Sequence, residues 1–172
     1  MKHIIIFLCF LLIIPVTAQK INKDYIFYPQ ENGNLYFIFP QKGFTSENKS
    51  DIKGLEYDIT YLTTSDSLTI SYTYINKEIC KPETIAFHSF NNQMLFQGST
   101  EMLFVQPFKQ NWKHRGIIKI PLSKATQIYG QELPFNLQIH TNKKVIQYQI
   151  TYSKWKKQSY LINRVFDIIT NN

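Results

Sequence analysis

The clearest regularity along the chain is a period of two. Leu55, Tyr57, Ile59 and Tyr61 alternate with Glu56, Asp58 and Thr60, and Leu68, Ile70, Tyr72 and Tyr74 alternate with Thr69, Ser71 and Thr73. Successive side chains of a strand point to opposite faces, so each run predicts a strand with one dry and one wet side. Thr64-Ser65-Asp66 joins the two into a hairpin. The pattern returns near the C-terminus. Phe135, Leu137 and Ile139 alternate with Asn136, Gln138 and His140. After Thr141-Asn142-Lys143-Lys144, the residues Ile146, Tyr148, Ile150 and Tyr152 share one face against Gln147, Gln149 and Thr151.

Shorter signals fill the rest. Tyr25–Tyr28, ended by Pro29, and Leu35–Phe39, closed by Pro40, flank a Glu31-Asn32-Gly33-Asn34 turn. The prolines place this hairpin at a sheet edge, because proline cannot donate to a ladder. Gln41 to Gly54 is polar and reads as a surface loop. Thr84–Phe90, Gln93–Phe96, Glu101–Gln106 and Gly116–Leu122 are further strand candidates. Ser123–Tyr129 reads as a short helix, with Ser123 as its cap and Gly130 as its stop. From residue 158 to 170 the period changes. Tyr160-Leu161-Ile162, Val165-Phe166 and Ile168-Ile169 recur at helical spacing, which predicts an amphipathic helix packed across an open end or face of the sheets. The expectation is one domain, all-β with a C-terminal α-helix: an antiparallel β-sandwich of eight to ten strands, Ig-like or jelly-roll-like, with an open barrel as the rival.

The first eighteen residues belong to a different problem. Lys2 precedes an unbroken apolar run, Ile4–Ile14, then Pro15 and a small-residue Val16-Thr17-Ala18 cleavage site. The run is about half the ~20 residues that span a bilayer as a helix, so 1–18 reads as a signal peptide and 19–172 as the mature domain. The mature protein is then exported, to the periplasm or the extracellular space, and does not span the membrane. Cys9 lies inside the apolar run, which leaves Cys80 as the sole mature cysteine and allows no internal disulfide. Cys80 reads as a small, half-buried apolar residue; the alternative is a reactive thiol. A domain of roughly 150 residues buries enough surface to do without staples. Asn48-Lys49-Ser50 matches a glycosylation acceptor, meaningful only in a eukaryotic secretory route.

Composition adds charge asymmetry. The formal net charge is +7, and it is unevenly spread. Residues 19–105 carry 10 acids and 7 bases, whereas 106–172 carry 2 acids and 11 bases. Two basic clusters each hold a tryptophan. One is Lys109 to Arg115, with Trp112, Lys113 and Arg115; the other joins Lys143 and Lys144 to Lys154-Trp155-Lys156-Lys157. These residues are the candidate binding surface for an anionic glycan, a lipid head group or a partner protein. The competing reading makes the lysines a solvated rim, with the strand running to Lys156 and both tryptophans in the core.

Signals for catalysis are sparse. His88, His114 and His140 are spaced 26 residues apart, outside any short metal-ligand spacing. No nucleophile elbow, phosphate-binding glycine loop or C-x-x-C pair is present. Glu56 and Asp58 share a strand face at about 7 Å, the one pair compatible with a glycan-active hydrolase or a calcium site. The leading expectation is therefore a non-enzymatic binding domain with no cofactor, no catalytic residues, no metal and no nucleic-acid partner. The alternatives are the hydrolase and an inhibitor or immunity-type protein using the basic half.

Overall fold

The computed structural model describes residues 23–46 and 54–170. The expected signal segment, residues 1–18, and the Asn48-Lys49-Ser50 motif lie outside the described residues. Among the described residues are ten strands: β1 (Tyr25–Gln30), β2 (Gly33–Ser46), β3 (Leu55–Leu62), β4 (Ser67–Asn76), β5 (Pro82–His88), β6 (Met94–Ser99), β7 (Glu101–Phe108), β8 (Asn111–Pro121), β9 (Asn136–Thr141) and β10 (Val145–Ile150). Two helices, α1 (Leu122–Tyr129) and α2 (Tyr152–Thr170), complete the described chain.

All pairings are antiparallel, in the order β6-β5-β9-β10-β2-β3-β4-β8-β7. The two clearest hairpins form in the register their alternation demands: Ile59 opposes Ile70 and Tyr57 opposes Tyr72, while Ile146 opposes Ile139. A one-residue slip would turn each apolar set into solvent, so burial itself fixes the register. The sheet folds over on itself, giving the expected antiparallel sandwich. Phe87 of β5 and Leu137 of β9 face Tyr57, Ile70 and Ile118 of β3, β4 and β8 across a void of about 10 Å3. That is room for one water at most, so the interior is filled by side chains.

Several boundaries differ from expectation: β8 begins at Asn111, ahead of the expected Gly116, β6 runs through Gly98 to Ser99, and β1 continues past Pro29 to Gln30. β2 does not stop at Pro40 but continues to Ser46, taking in the start of the predicted loop. The register shifts between Ile38 and Gln41 and again between Lys42 and Phe44, so Pro40 sits in a bulge that needs no ladder donor there. β2 is consequently interior: β1 pairs with its first half, β10 with Phe44–Ser46, and β3 runs along its other side. Gly43 lies in the second shift at φ +139°, a conformation open to glycine, with the Lys154 side chain against it. α1 begins one residue early, at Leu122, with Pro121 at its cap position instead of Ser123. Gly130 ends it in a right-handed conformation.

The largest correction concerns α2, which starts at Tyr152 instead of 158. Tyr152 continues the period-two pattern of β10 in sequence, yet it is exposed on the first helical turn. What decides the matter is Trp155, fully buried in the core. Its ring meets Phe135 edge-on at 4.9 Å and stacks on Tyr129 at 5.8 Å, and its indole Nε1 donates to the Gln131 carbonyl at 3.3 Å. A strand to Lys156 could not bring this ring to the same side as Ile162, Val165, Phe166 and Ile169, which share the buried stripe. Gln158 in that stripe accepts from the Tyr57 hydroxyl at 3.0 Å and donates to the Lys42 carbonyl at 2.6 Å, and Asn163 donates to the Tyr129 carbonyl at 2.9 Å. These bonds tie the helix to β2, β3 and α1.

Trp155→Ala should lower stability by about 3–5 kcal/mol in urea unfolding, as for other buried aromatics cut to alanine. Tyr160→Ala, on the exposed face of the same helix, should stay within about 0.5 kcal/mol.

Candidate functional site

The carboxylate pair of β3 is divided between two separate ion pairs. Asp58 is buried, and its Oδ2 accepts from Arg115 Nη2 at 2.8 Å. Arg115 Nη1 also donates to Thr73 Oγ1 at 3.0 Å, so this guanidinium clamps β3, β4 and β8 together. Glu56 pairs with Lys42 at 3.4 Å. Both acids are engaged by cations of the fold. Among the described residues no group of three or more His, Cys, Asp or Glu side chains could hold a metal ion.

The histidines are not brought together. His88 closes β5 and His140 lies in β9, while His114 is buried in β8. The His114 ring stacks on Tyr74 at 4.6 Å, and its Nε2 accepts from the Cys80 backbone N–H at 3.1 Å. An accepting Nε2 leaves the proton on Nδ1, which lies 3.2 Å from the Trp112 carbonyl and donates to it. Cys80 is fully buried, its sulfur accepting from Asn76 Nδ2 at 3.1 Å. The Tyr74 hydroxyl donates to the Cys80 carbonyl at 3.2 Å. This network fastens residues 77–81, the β4–β5 connection, to β8. Desolvation pulls the His114 pKa below its ordinary 6.5, and the Trp112 carbonyl opposes the shift.

The nine residues of the two basic clusters do not form one surface. Trp155 is in the core and Arg115 is committed to Asp58. Trp112 and Lys113 are half-buried in β8, opposite Asn76 and Ile75. Lys143 and Lys144 sit in the β9–β10 turn, where Thr141 Oγ1 accepts from both of their backbone N–H groups. Lys143 also reaches Glu78 at 3.2 Å, so this turn and Lys113 flank the same 77–81 connection. Lys154, Lys156 and Lys157 lie on the exposed side of α2, in its first two turns. Positive charge there opposes the helix dipole by a few tenths of a kcal/mol each.

One concave region gathers cations. Lys23 and Tyr25, at the entry to β1, face Lys157, Tyr160, Leu161 and Arg164 of α2 across a cleft of about 390 Å3. Lys157, Tyr160, Leu161 and Arg164 fall at i, i+3, i+4 and i+7, one stripe along the helix. Asp24 and Val165 complete the lining. Tyr25 is steadied by Tyr36, whose ring lies 6.2 Å away, and Tyr160 is 71% exposed. The cleft thus offers two ammonium groups, one guanidinium and two phenols against a single acid. Lys157 is the only one of its residues among the sequence candidates. Arg164 stands out in sequence just as a lone base on an apolar helix, and Lys23 carries no signal at all.

Comparison with protein-family models, with curated proteins and with solved structures returned no match, leaving this chain's own geometry as the guide to its function. Among the described residues no helix is long and apolar enough to cross a membrane.

Arg115→Ala should cost about 3–5 kcal/mol in denaturant unfolding, because it strands a buried carboxylate. Exposed Lys119→Ala should cost under about 0.5 kcal/mol. For His114 the sign follows from the depressed folded pKa. Its contribution is complete above about pH 6.5 and is lost as pH falls through the lowered folded value. Unfolding midpoints measured between about pH 7.5 and 5 should drop more steeply in the wild type than in His114→Phe.

Proposed function

We propose that the protein is an exported, non-catalytic binding domain that takes an anionic group of its partner in the cleft between β1 and α2. The observation that supports this most directly is the convergence of Lys23, Lys157 and Arg164 on one concave site, with none of the three in an ion pair among the described residues. A guanidinium offers a planar fork suited to carboxylate or phosphate, and the ammonium groups add undirected charge. Tyr160 and Leu161 supply an amphipathic wall for the carbon skeleton that carries the anion. The basic second half of the chain steers such a partner inward, an effect that salt weakens over a Debye length of about 8 Å. The export reading of residues 1–18 favours a partner in the cell envelope or the surrounding medium. The engaged states of Glu56 and Asp58 favour binding over hydrolysis.

The test is a double variant, Lys157→Ala with Arg164→Ala, both at exposed positions. Two probes are titrated at low and moderate salt: mixed phosphatidylcholine–phosphatidylglycerol vesicles and a poly-glutamate peptide. At least one should bind in a salt-sensitive way and lose about tenfold in affinity, roughly 1.4 kcal/mol, in the double variant. Which probe responds tells a lipid head group from an acidic protein segment. Absence of binding to both, or binding indifferent to the double variant, overturns the proposal.

A further inference from the structure

A second concavity, on different elements, carries no charge. Register places Gln138 of β9 directly opposite Gln147 of β10, and Asn136 opposite His88 of β5. These side chains occupy the wet face, since Leu137, Ile139, Ile146 and Tyr148 between them are buried. Across the other edge of β9, Ala86 opposes both Gln138 and Gln97, so one amide row crosses from β6 to β10 interrupted only by a methyl group. The β5–β6 turn rises beside this row. Asn91, Asn92, Asn136, Gln138, Gln147 and Gln149, with the ring of Phe90, line a hollow of about 340 Å3. Six carboxamides and one aromatic ring make up the entire lining, in a chain whose net charge is +7.

The turn is built to hold its shape. Ser89 N–H donates to the Gln93 carbonyl at 2.8 Å, Asn92 N–H to the Ser89 carbonyl at 2.9 Å, and Gln93 N–H to Ser89 Oγ at 3.1 Å. Asn92 adopts φ 64°, a left-handed conformation that asparagine tolerates better than most side chains. This closed turn holds Phe90 with 60% of its surface in water. At the end of β5, His88 Nδ1 lies 3.5 Å from the Asn92 carbonyl of the turn.

Carboxamides donate and accept at once. A sugar hydroxyl does the same, so adjacent amides match vicinal hydroxyls without requiring charge on either side. An exposed ring beside them suits the C–H face of a pyranose. An anion would find no cation here, and an extended apolar ligand would leave the amides unpaired at about 1–3 kcal/mol for each buried group. We propose that this hollow binds a neutral oligosaccharide, independently of the anionic cleft on α2.

The experiment uses the isotopically labelled full mature chain and two probes, a β-1,4-linked tetramer of glucose and one of N-acetylglucosamine. Amide resonances are followed by NMR up to about 10 mM ligand, the range of weak millimolar binding. At least one tetramer should shift signals in residues 88–92, 136–138 and 147–149. Phe90→Ala should weaken that tetramer about tenfold, and Gln147→Ala should do the same. Both side chains are exposed, and the unligated spectrum of each variant checks that the fold is kept. No shifts with either tetramer, shifts centred elsewhere, or affinity unchanged in both variants would overturn the assignment.

Discussion

The contact of Trp155 with Phe135 and Tyr129 is the point on which the architecture turns. Trp155 belongs to α2, Phe135 leads into β9, and Tyr129 is the last residue of α1. Phe135 also meets Phe44 of β2 and Phe87 of β5, each at 5.4 Å, and Tyr129 meets Phe166 edge-on at 6.0 Å. Aromatic pairs in these tilted and edge-on arrangements add about 0.5–1.5 kcal/mol beyond the area they bury. One cluster therefore joins two helices, two strands and the lead-in to β9, from Phe44 to Phe166. Both proposed binding regions inherit their geometry from it. The depth of Trp155 sets the rotation of α2 and hence the direction of Lys157 and Arg164. Phe135 sets the start of β9 and hence which of its neighbours face outward.

Polar groups within this interior are mostly placed in mutual contact. Gln158 bridges Tyr57 and the Lys42 carbonyl, and Arg115 ties Asp58 to Thr73. Burial drives the Tyr57, Tyr129 and Tyr148 phenols well above their usual pKa. Tyr72, hydrogen-bonded to Thr100 at 2.6 Å, is pushed up to about 12 by the same cause. These hydroxyls stay protonated across ordinary pH, and those of Tyr57 and Tyr72 engage Gln158 and Thr100 as neutral groups. Such bonds select one arrangement of layers, because a shifted helix would leave Gln158 unsatisfied.

What the sequence discloses divides along the line between local and distant causes. The β3–β4 and β9–β10 hairpins are legible because alternation and a short connection sit in one window. The buried stripe from Ile162 to Ile169 is legible for the same reason. The continuation of β2 past Pro40 is not, since the bulge is tolerated only because β3 and β10 pair with the residues from Gln41 to Ser46. The true start of α2 is hidden because Tyr152 prolongs a strand pattern, while the Phe135 ring that recruits Trp155 stands 20 residues earlier. Site chemistry fares in the same way. The lysine clusters are plain to see, but Arg115 is claimed by Asp58 and Lys143 by Glu78, partners that no sequence window contains. Lys23 and Arg164 meet only through packing. The glutamines of β9 and β10 are visible as a wet face, whereas the Asn91–Asn92 turn joins them only through the β5–β9 pairing.

That pairing scheme bears on how the chain reaches its native state. The second half of β2 waits for Phe44–Ser46 to meet residues 148–150, and β5 waits for β9. A ribosome releasing this polypeptide from its N-terminus would expose both edges, unclosed, until the final quarter has emerged. Topologies dominated by such remote pairings fold slowly, and their interim edges are prone to self-association. For a chain exported as proposed, that delay is useful: a polypeptide unable to complete its sheet before its last strands are made stays unfolded long enough to be threaded through a translocation pore.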